Sequence, residues 1–273
     1  MLSFLVMNVV SQELIQRATK TTESRFDECS SLLIQGEKAT IKITGKPQNT
    51  IELKITLVSK HKNQTTALRD LKNIRFVSEK EGAQLILKNY YETANRKIES
   101  NLSIVYELTV PEHLTVKLNN LYGAVTLQNL SGKKSVDISF GRIEMEAIDG
   151  MTNLNLRYSN LMAQKINGKL TGTLSKSDAA ITNCGAAMEF DMKYGILNAS
   201  ILNDCEKVQI TGNRTEIILQ TPSVEYNLDL KTIYSNVEVY DKVVTPGFKK
   251  VTKLSSKSIF VSTSYCPIKI KLK

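Results

Sequence analysis

One 18-residue period, running without a gap from residue 118 to residue 204, constrains this chain more than any other feature. With Leu118, Val136, Leu154, Gly172 and Phe190 set as the first position of successive rungs, the rest of the segment falls into columns. Two residues on stand Asn120, Ile138, Leu156, Leu174 and Met192. At the fourth offset come Tyr122, Phe140, Tyr158, Lys176 and Tyr194, each followed by glycine or serine. The seventh and ninth offsets are again apolar, as in Val125/Leu127, Ile143/Met145 and Leu161/Ala163, and the twelfth gives Leu130, Ile148, Ile166, Cys184 and Leu202. A fixed repeat of this size marks a stack of units that cannot bury their apolar faces alone.

The spacing within a rung says what the unit is. Apolar residues at offsets 0 and 2, then 7 and 9, alternate with polar ones, which is the period of strands rather than helices. The two runs are separated at the Gly/Ser column. A second break follows the twelfth offset as Ser131-Gly132, Asp149-Gly150 and Asn167-Gly168, pairs suited to turns with positive φ. The pattern predicts an all-β parallel solenoid with laps of about 18 residues, equivalent strands side by side and like side chains in vertical files. Low aromatic content (6%) and the absence of Trp agree with Ile, Val, Leu and Thr strands.

Outside the repeat the reading is coarser. Residues 1–11 are apolar and end Val9-Val10-Ser11, a small-residue pattern that fits a cleavable export leader, although a basic n-region is missing. Residues 12–28 are polar and are expected to order only against a partner strand. Residues 31–59 read as a strand, a turn at Thr44-Gly45-Lys46-Pro47 and a second long strand. Ala67, Leu68, Leu71 and Ile74 recur at helical spacing and predict one short helix near 65–74, started by Thr65 or Thr66. Residues 89–100 read as an exposed loop. After the five aligned rungs the pattern slips: Gly212 takes the aromatic place in a sixth lap, about two residues enter near Pro222, and Tyr234-Ser235 restores the pair. The organisation expected is a leader at 1–11, an N-terminal β region at 12–115 that caps or opens the solenoid, regular laps at 116–244 and capping strands at 245–273.

Few residues suit catalysis. His61 and His113 lie far apart and outside the repeats, and the acids of the first-offset column, Asp137 and Asp191, stand three laps apart, roughly 14 Å at strand spacing. The Asp149-Gly150 and Asn167-Gly168 turns lack the glycine density of calcium-binding β-rolls. Cys29, Cys184, Cys205 and Cys266 form no CxxC pair, so no metal site and no cofactor is expected; a Cys29–Cys266 bridge between the two ends is left open. The net charge of +9 raises the question of an acidic partner, yet Lys and Arg alternate with Glu and Asp. The run Lys269, Lys271, Lys273 is read as a solvated strand edge, and nucleic acid is not expected as a partner. No stretch is long and apolar enough to predict a transmembrane span.

The order of features resembles the putative-adhesin family of β-repeat proteins of unknown function, related to the autotransporter adhesin head GIN domains. The resemblance rests on Gly36 with Ala39-x-Ile41-x-Ile43, the helix-like 67–74, Val110-Pro111, and the pairs Tyr122-Gly123, Phe140-Gly141, Tyr158-Ser159, Tyr194-Gly195 and Tyr234-Ser235. It covers residues 30–240 and implies an exported, single-stranded right-handed β-helix with a bacterial cell-surface or adhesion role and no known catalytic residues. Lys176 in the aromatic column and Gly172 at the head of that lap depart from the pattern and predict local thinning of the core or a bulge. The residues singled out are Tyr122, Phe140, Tyr158, Tyr194 and Tyr234, either a binding row for sugar rings or a ladder in which rings stack between laps. A non-catalytic binding protein of the cell surface or envelope is expected, its ligand an acidic glycan or envelope protein. The alternatives are an enzyme acting on acidic polysaccharide and a self-assembling structural protein of the envelope.

Overall fold

The computed structural model describes residues 15–92, 97–252 and 255–273, so the leader expected at 1–11 lies outside the described residues. The fold is all-β with one helix among the described residues, and its strands form one hydrogen-bonded sheet of mixed orientation. The chain opens with β1 (Gln16–Asp27), β2 (Ser31–Glu37), β3 (Ala39–Lys46) and β4 (Thr50–His61). Helix α1 (Gln64–Leu71) follows, then β5 (Ile74–Glu81), β6 (Gln84–Tyr91) and β7 (Asn101–Pro111).

The repeat region supplies two strands per lap. These are β8 (Thr115–Leu121) with β9 (Ala124–Leu130), and β10 (Lys134–Ser139) with β11 (Arg142–Ile148). Then come β12 (Met151–Arg157) with β13 (Asn160–Ile166), and β14 (Lys169–Ser175) with β15 (Ala179–Cys184). In β16 (Ala187–Ile201) and β17 (Lys207–Thr221) both halves of a lap run on as one strand. The chain ends with β18 (Asn227–Ile233), β19 (Val237–Val239), β20 (Lys242–Val244), β21 (Phe248–Lys250), β22 (Ser258–Ser264) and β23 (Ile268–Leu272).

Pairing between laps is parallel and in register. Val136 faces Leu118 on one side and Leu154 on the other, and Met145 lies between Leu127 and Ala163. The residues at offsets 0 and 9 therefore form two continuous ladders whose inward side chains are almost wholly buried. Each buried Leu or Ile of this kind is worth about 1.5–3 kcal/mol relative to an exposed one. Gly172 neither thins the core nor bulges, because Phe190 of the next lap fills the space beside it.

A second corner appears at the eleventh offset, where Asn129, Ala147, Lys165 and Asn183 all adopt φ of 52–55°. The column of mixed residue types there carries no periodic signal. Inside the next turn Lys134 is fully buried where neighbouring laps carry Val116 and Thr152. Its ammonium donates to the carbonyls of Asp149 and of Leu130 (3.3 Å), the latter also accepting from Asp149 N at 2.9 Å. Burial lowers its pKa to about 8, with the Asp149 carboxylate opposing.

Several expectations are corrected. Residues 31–46 are not one strand leading into the turn but a complete lap of two: β2 lies between β6 and β8, and β3 between β7 and β9. The polar residues 16–27 do order against a partner strand as expected, as β1 antiparallel on β4, which in turn runs antiparallel on β7. The helix is capped by Asn63, whose Oδ1 accepts from Thr66 N at 3.1 Å, rather than by Thr65 or Thr66. At its end the buried Asp70 carboxylate accepts from Arg69 Nε (2.8 Å) and from the amides of Glu99 and Ser100 (3.0 Å each). Burial raises its pKa, but those donors outweigh it and hold the group at about 2.

Residues 89–91 continue β6 instead of opening a loop. Asn89 is buried and exchanges hydrogen bonds with the Glu37 backbone, donating at 2.8 Å and accepting at 3.2 Å. One two-residue slip falls near Pro222 as expected, since Val208 and Leu228, 20 residues apart, both pair with Ile259. Another, not expected, falls at 202–206: Met188 pairs with Val208 and Met192 with Gly212, so Gly212 occupies the second offset and not the aromatic place.

At the far end β22 lies between β17 and β18, and β23 between β17 and β19. Residues 258–272 are thus an internal lap, and the outer edges of 227–239 are covered by the antiparallel strands β21 and β20. Lys269, Lys271 and Lys273 consequently do not line a strand edge, and Lys269 pairs with Glu216 at 2.9 Å. Antiparallel strands at both ends give each parallel ladder a finished margin in place of a free row of N–H and C=O groups. All four cysteines are buried free thiols, so the possible Cys29–Cys266 bridge is absent.

Candidate functional site

The fourth-offset residues stand at an outer corner of every lap. Tyr122, Phe140, Tyr158, Lys176 and Tyr194 have φ of 50–58°, the left-handed region that non-glycine residues seldom adopt. This conformation points the side chain away from the core while the amide bonds the next lap: Tyr122 N to Ser139 O (3.0 Å), Phe140 N to Arg157 O (3.0 Å), Tyr158 N to Ser175 O (2.9 Å). The small residue that follows is needed because backbones nearly touch there. A Cβ on Gly123 would stand 2.0 Å from Ala39 O, and one on Gly141 would stand 2.1 Å from Gly123 O. Serine builds the corner another way, with Ser159 Oγ accepting from Gly141 N (3.1 Å) and Ser177 Oγ accepting from Ser159 N (3.0 Å).

Strand spacing of about 4.8 Å is also a stacking distance for aromatic rings. The rings of Tyr122 and Phe140 lie 5.1 Å apart, and those of Phe140 and Tyr158 4.9 Å apart, both stacked. Where the aromatic is missing a cation takes its place. Lys176 Nζ lies 4.7 Å above the Tyr158 ring and donates to its hydroxyl at 2.8 Å. Both the hydrogen bond and the charge interaction with Tyr158 raise the Lys176 pKa.

Arg214 stands between Tyr194 (5.4 Å) and Tyr265 (5.9 Å) and donates to the Tyr194 hydroxyl at 3.1 Å. Tyr265 then stacks on Tyr234 at 4.9 Å. At the N-terminal end Lys38, one position beyond the Glu37–Leu121 pair and therefore beside Tyr122, lies 5.3 Å over the Tyr91 ring.

None of the five aromatic residues singled out from the sequence lies in the core. Tyr122, Phe140, Tyr158 and Tyr194 are 46–50% exposed and Tyr234 is 79% exposed. Tyr122, Phe140 and Tyr158 form one uninterrupted stack; Tyr194 and Tyr234 join the file only through Arg214 and Tyr265. Lys38, Arg214 and Tyr265 were missed, although the signal existed. Ile34, Gly36, Lys38-Ala39, Ile41 and Ile43 repeat the offsets of a lap, as do Val261, Thr263, Tyr265-Cys266, Ile268 and Ile270.

The arrangement bears directly on chemistry. Phe140, Tyr158 and Tyr265 each carry a neighbour on both ring faces, so at these three residues solvent meets ring edges, hydroxyls and cations and no open face is offered to a sugar ring. The acidic column does not converge: Asp137 accepts from Asn155 Nδ2 at 2.6 Å and pairs with Arg157 at 3.4 Å, while Asp191 accepts from Thr211 at 3.3 Å. Among the described residues no cluster of His, Cys, Asp and Glu could hold a metal, and no helix is long and apolar enough to cross a membrane.

No family model matches the chain, and no curated protein matches its sequence. Solved structures similar to it include a putative cell adhesion protein from Clostridium sporogenes ATCC 15579, at 10% identity and a TM-score of 0.29 over 94% of this chain and 100% of that one. Another is a putative adhesin from Parabacteroides distasonis ATCC 8503, at 6% identity and a TM-score of 0.34 over 94% and 97%. A third is a putative lipid binding protein from the same organism, at 10% identity and 0.32 over 93% and 94%. At these scores and identities the likeness transfers neither fold nor function.

Proposed function

We propose that this chain is a non-catalytic, exported binding protein of the bacterial cell surface or envelope, with parallel laps that wind as a single-stranded right-handed β-helix. The observation that carries the reading is the outer corner file. Half-exposed rings and intercalated cations recur lap after lap along one edge of a rigid stack, where they add nothing to the core. A repeated edge of this kind suits an extended ligand, because contacts that are weak singly add along its length.

The test is binding of the purified protein, described residues and all, to intact bacterial envelopes and to an array of envelope glycans. Saturable binding that is lost when corner residues are substituted supports the reading. Binding no stronger than that of an unrelated all-β protein of equal net charge removes it, and turnover of a glycan on the array would replace it with the enzyme alternative.

A further inference from the structure

We infer that the corner between Tyr158 and Tyr265 binds a linear acidic glycan, with its carboxylate or sulfate groups held by Lys176, Lys193 and Arg214. This rests on the binding-protein reading above and names the ligand class and the stretch of surface that takes it. The three cations fall on successive laps: Ser175 pairs with Lys193, Lys193 with Asn213, and Lys176 and Arg214 stand one residue beyond the outer two. They are thus spaced at strand separation, about 4.8 Å per lap, with Lys193 one residue before the corner column that holds Lys176 and Arg214. All three are exposed, and none is ion-paired with a carboxylate among the described residues.

Of the nearby acids, Asp178 accepts from Ile196 N at 2.9 Å, Asp191 accepts from the Thr211 hydroxyl at 3.3 Å, and Glu216 holds Lys269 at 2.9 Å. In the preceding laps the corner arginines are neutralised, Arg142 by Glu144 (3.5 Å) and Arg157 by Asp137 (3.4 Å), so the unbalanced charge begins at Lys176.

Two of these cations, Lys176 and Arg214, are also held in place. The Tyr158 ring and hydroxyl fix Lys176, and the Arg214 guanidinium is held between the rings of Tyr194 and Tyr265, so less side-chain freedom is lost when an anion arrives. A planar guanidinium in that position can grip a carboxylate or sulfate through two donors. Tyr158 and Tyr265, each covered on both faces, offer no stacking platform to single-stranded nucleic acid, which needs open aromatic faces for its bases.

The experiment measures binding of the full chain to polygalacturonate and chondroitin sulfate by calorimetry at two salt concentrations, with dextran, polyglutamate and single-stranded DNA as comparison probes. Expected are binding of an acidic glycan that weakens with salt, and a loss of about tenfold or more in the triple variant K176Q/K193Q/R214Q with its melting temperature unchanged. The control K271Q/K273Q, which removes two charges elsewhere, stays within about twofold, and R214K loses part of the affinity because it keeps charge without the fork.

Equal losses in the corner and control variants, an unaffected triple variant, or polyglutamate and DNA bound as tightly as the glycans would each overturn the inference. Binding to envelopes or neutral glycans with none to polyanions would overturn it and leave the binding-protein reading standing; binding to nothing would remove both.

Discussion

Phe190 occupies the space that Gly172 leaves empty: its Cε1 stands 3.3 Å from where a Cβ on Gly172 would lie, and Leu154 O stands 2.7 Å from the same point. The two residues face each other in register on β14 and β16, so one lap lends volume to the next. Gly172→Val should therefore overpack the core by about 1–3 kcal/mol, and Phe190→Val should leave a cavity of comparable cost. Combined, the two changes should cost less than their sum, a coupling of about 1 kcal/mol or more in urea denaturation. Strict additivity would show that the two side chains do not share the space.

Lys134 makes stability depend on alkaline pH. Below about pH 8 its amine is charged in both the folded and the unfolded chain, and burial costs on the order of 3 kcal/mol. Between about 8 and the ordinary value of 10.5 the folded chain releases its proton first, so the unfolded chain binds more protons and stability rises with pH. Relative to Lys134→Met, the denaturation midpoint of the wild-type chain should rise from pH 7.5 to 9.5, because the raised thiols oppose the trend equally in both chains. A constant difference between the two would place the amine in water.

Phe140 separates ring stacking from backbone strain. Its φ of 56° is costly for any side chain, by about 1–2 kcal/mol, while its two stacked neighbours return about 0.5–1.5 kcal/mol each. Phe140→Ala keeps the strain and loses the stacks; Phe140→Gly loses both. The glycine variant should accordingly be the more stable of the two by about 1 kcal/mol in chemical denaturation. The reverse order would mean that the corner does not hold the left-handed conformation.

The thiols should be inert in the folded chain. Burial pushes Cys184 up to about 11 and Cys205 up to about 12, and Cys29 and Cys266 are raised as well, so thiolate is scarce at neutral pH. A chromogenic disulfide reagent should find almost no reactive thiol under native conditions and every thiol in denaturant. Its failure to find Cys29 and Cys266 in non-reducing denaturant would reveal a bridge between them.

Much of the fold could be read from one period. The alternation at offsets 0, 2, 7 and 9 identifies strands and their inward faces from Leu118 to Leu202, and the ring-then-small-residue pairs mark the corner. Less could be read where the same geometry is met by other residue types. Lys38 and Arg214 take the corner as Tyr158 does, because the left-handed turn requires a small follower and an outward side chain but no particular ring. The Asn129, Ala147, Lys165 and Asn183 corner shares a backbone conformation and no common side-chain chemistry, so no column announced it.

What local sequence determined by itself is the shape of a lap, since side-chain alternation and turn chemistry act between residues close along the chain. What only the tertiary structure decided is the order of the laps. Residues 31–46 enter the stack between 84–111 and 115–130, and 258–272 enter between 207–221 and 227–239. Parallel ladders join any two laps with matching apolar columns, whatever their distance along the chain, so neighbours are chosen by the fit of whole laps and by the antiparallel strands that close each end. The run of exposed cations from Lys176 to Arg214 comes from that stacking, which sets residues from separate laps side by side on one edge.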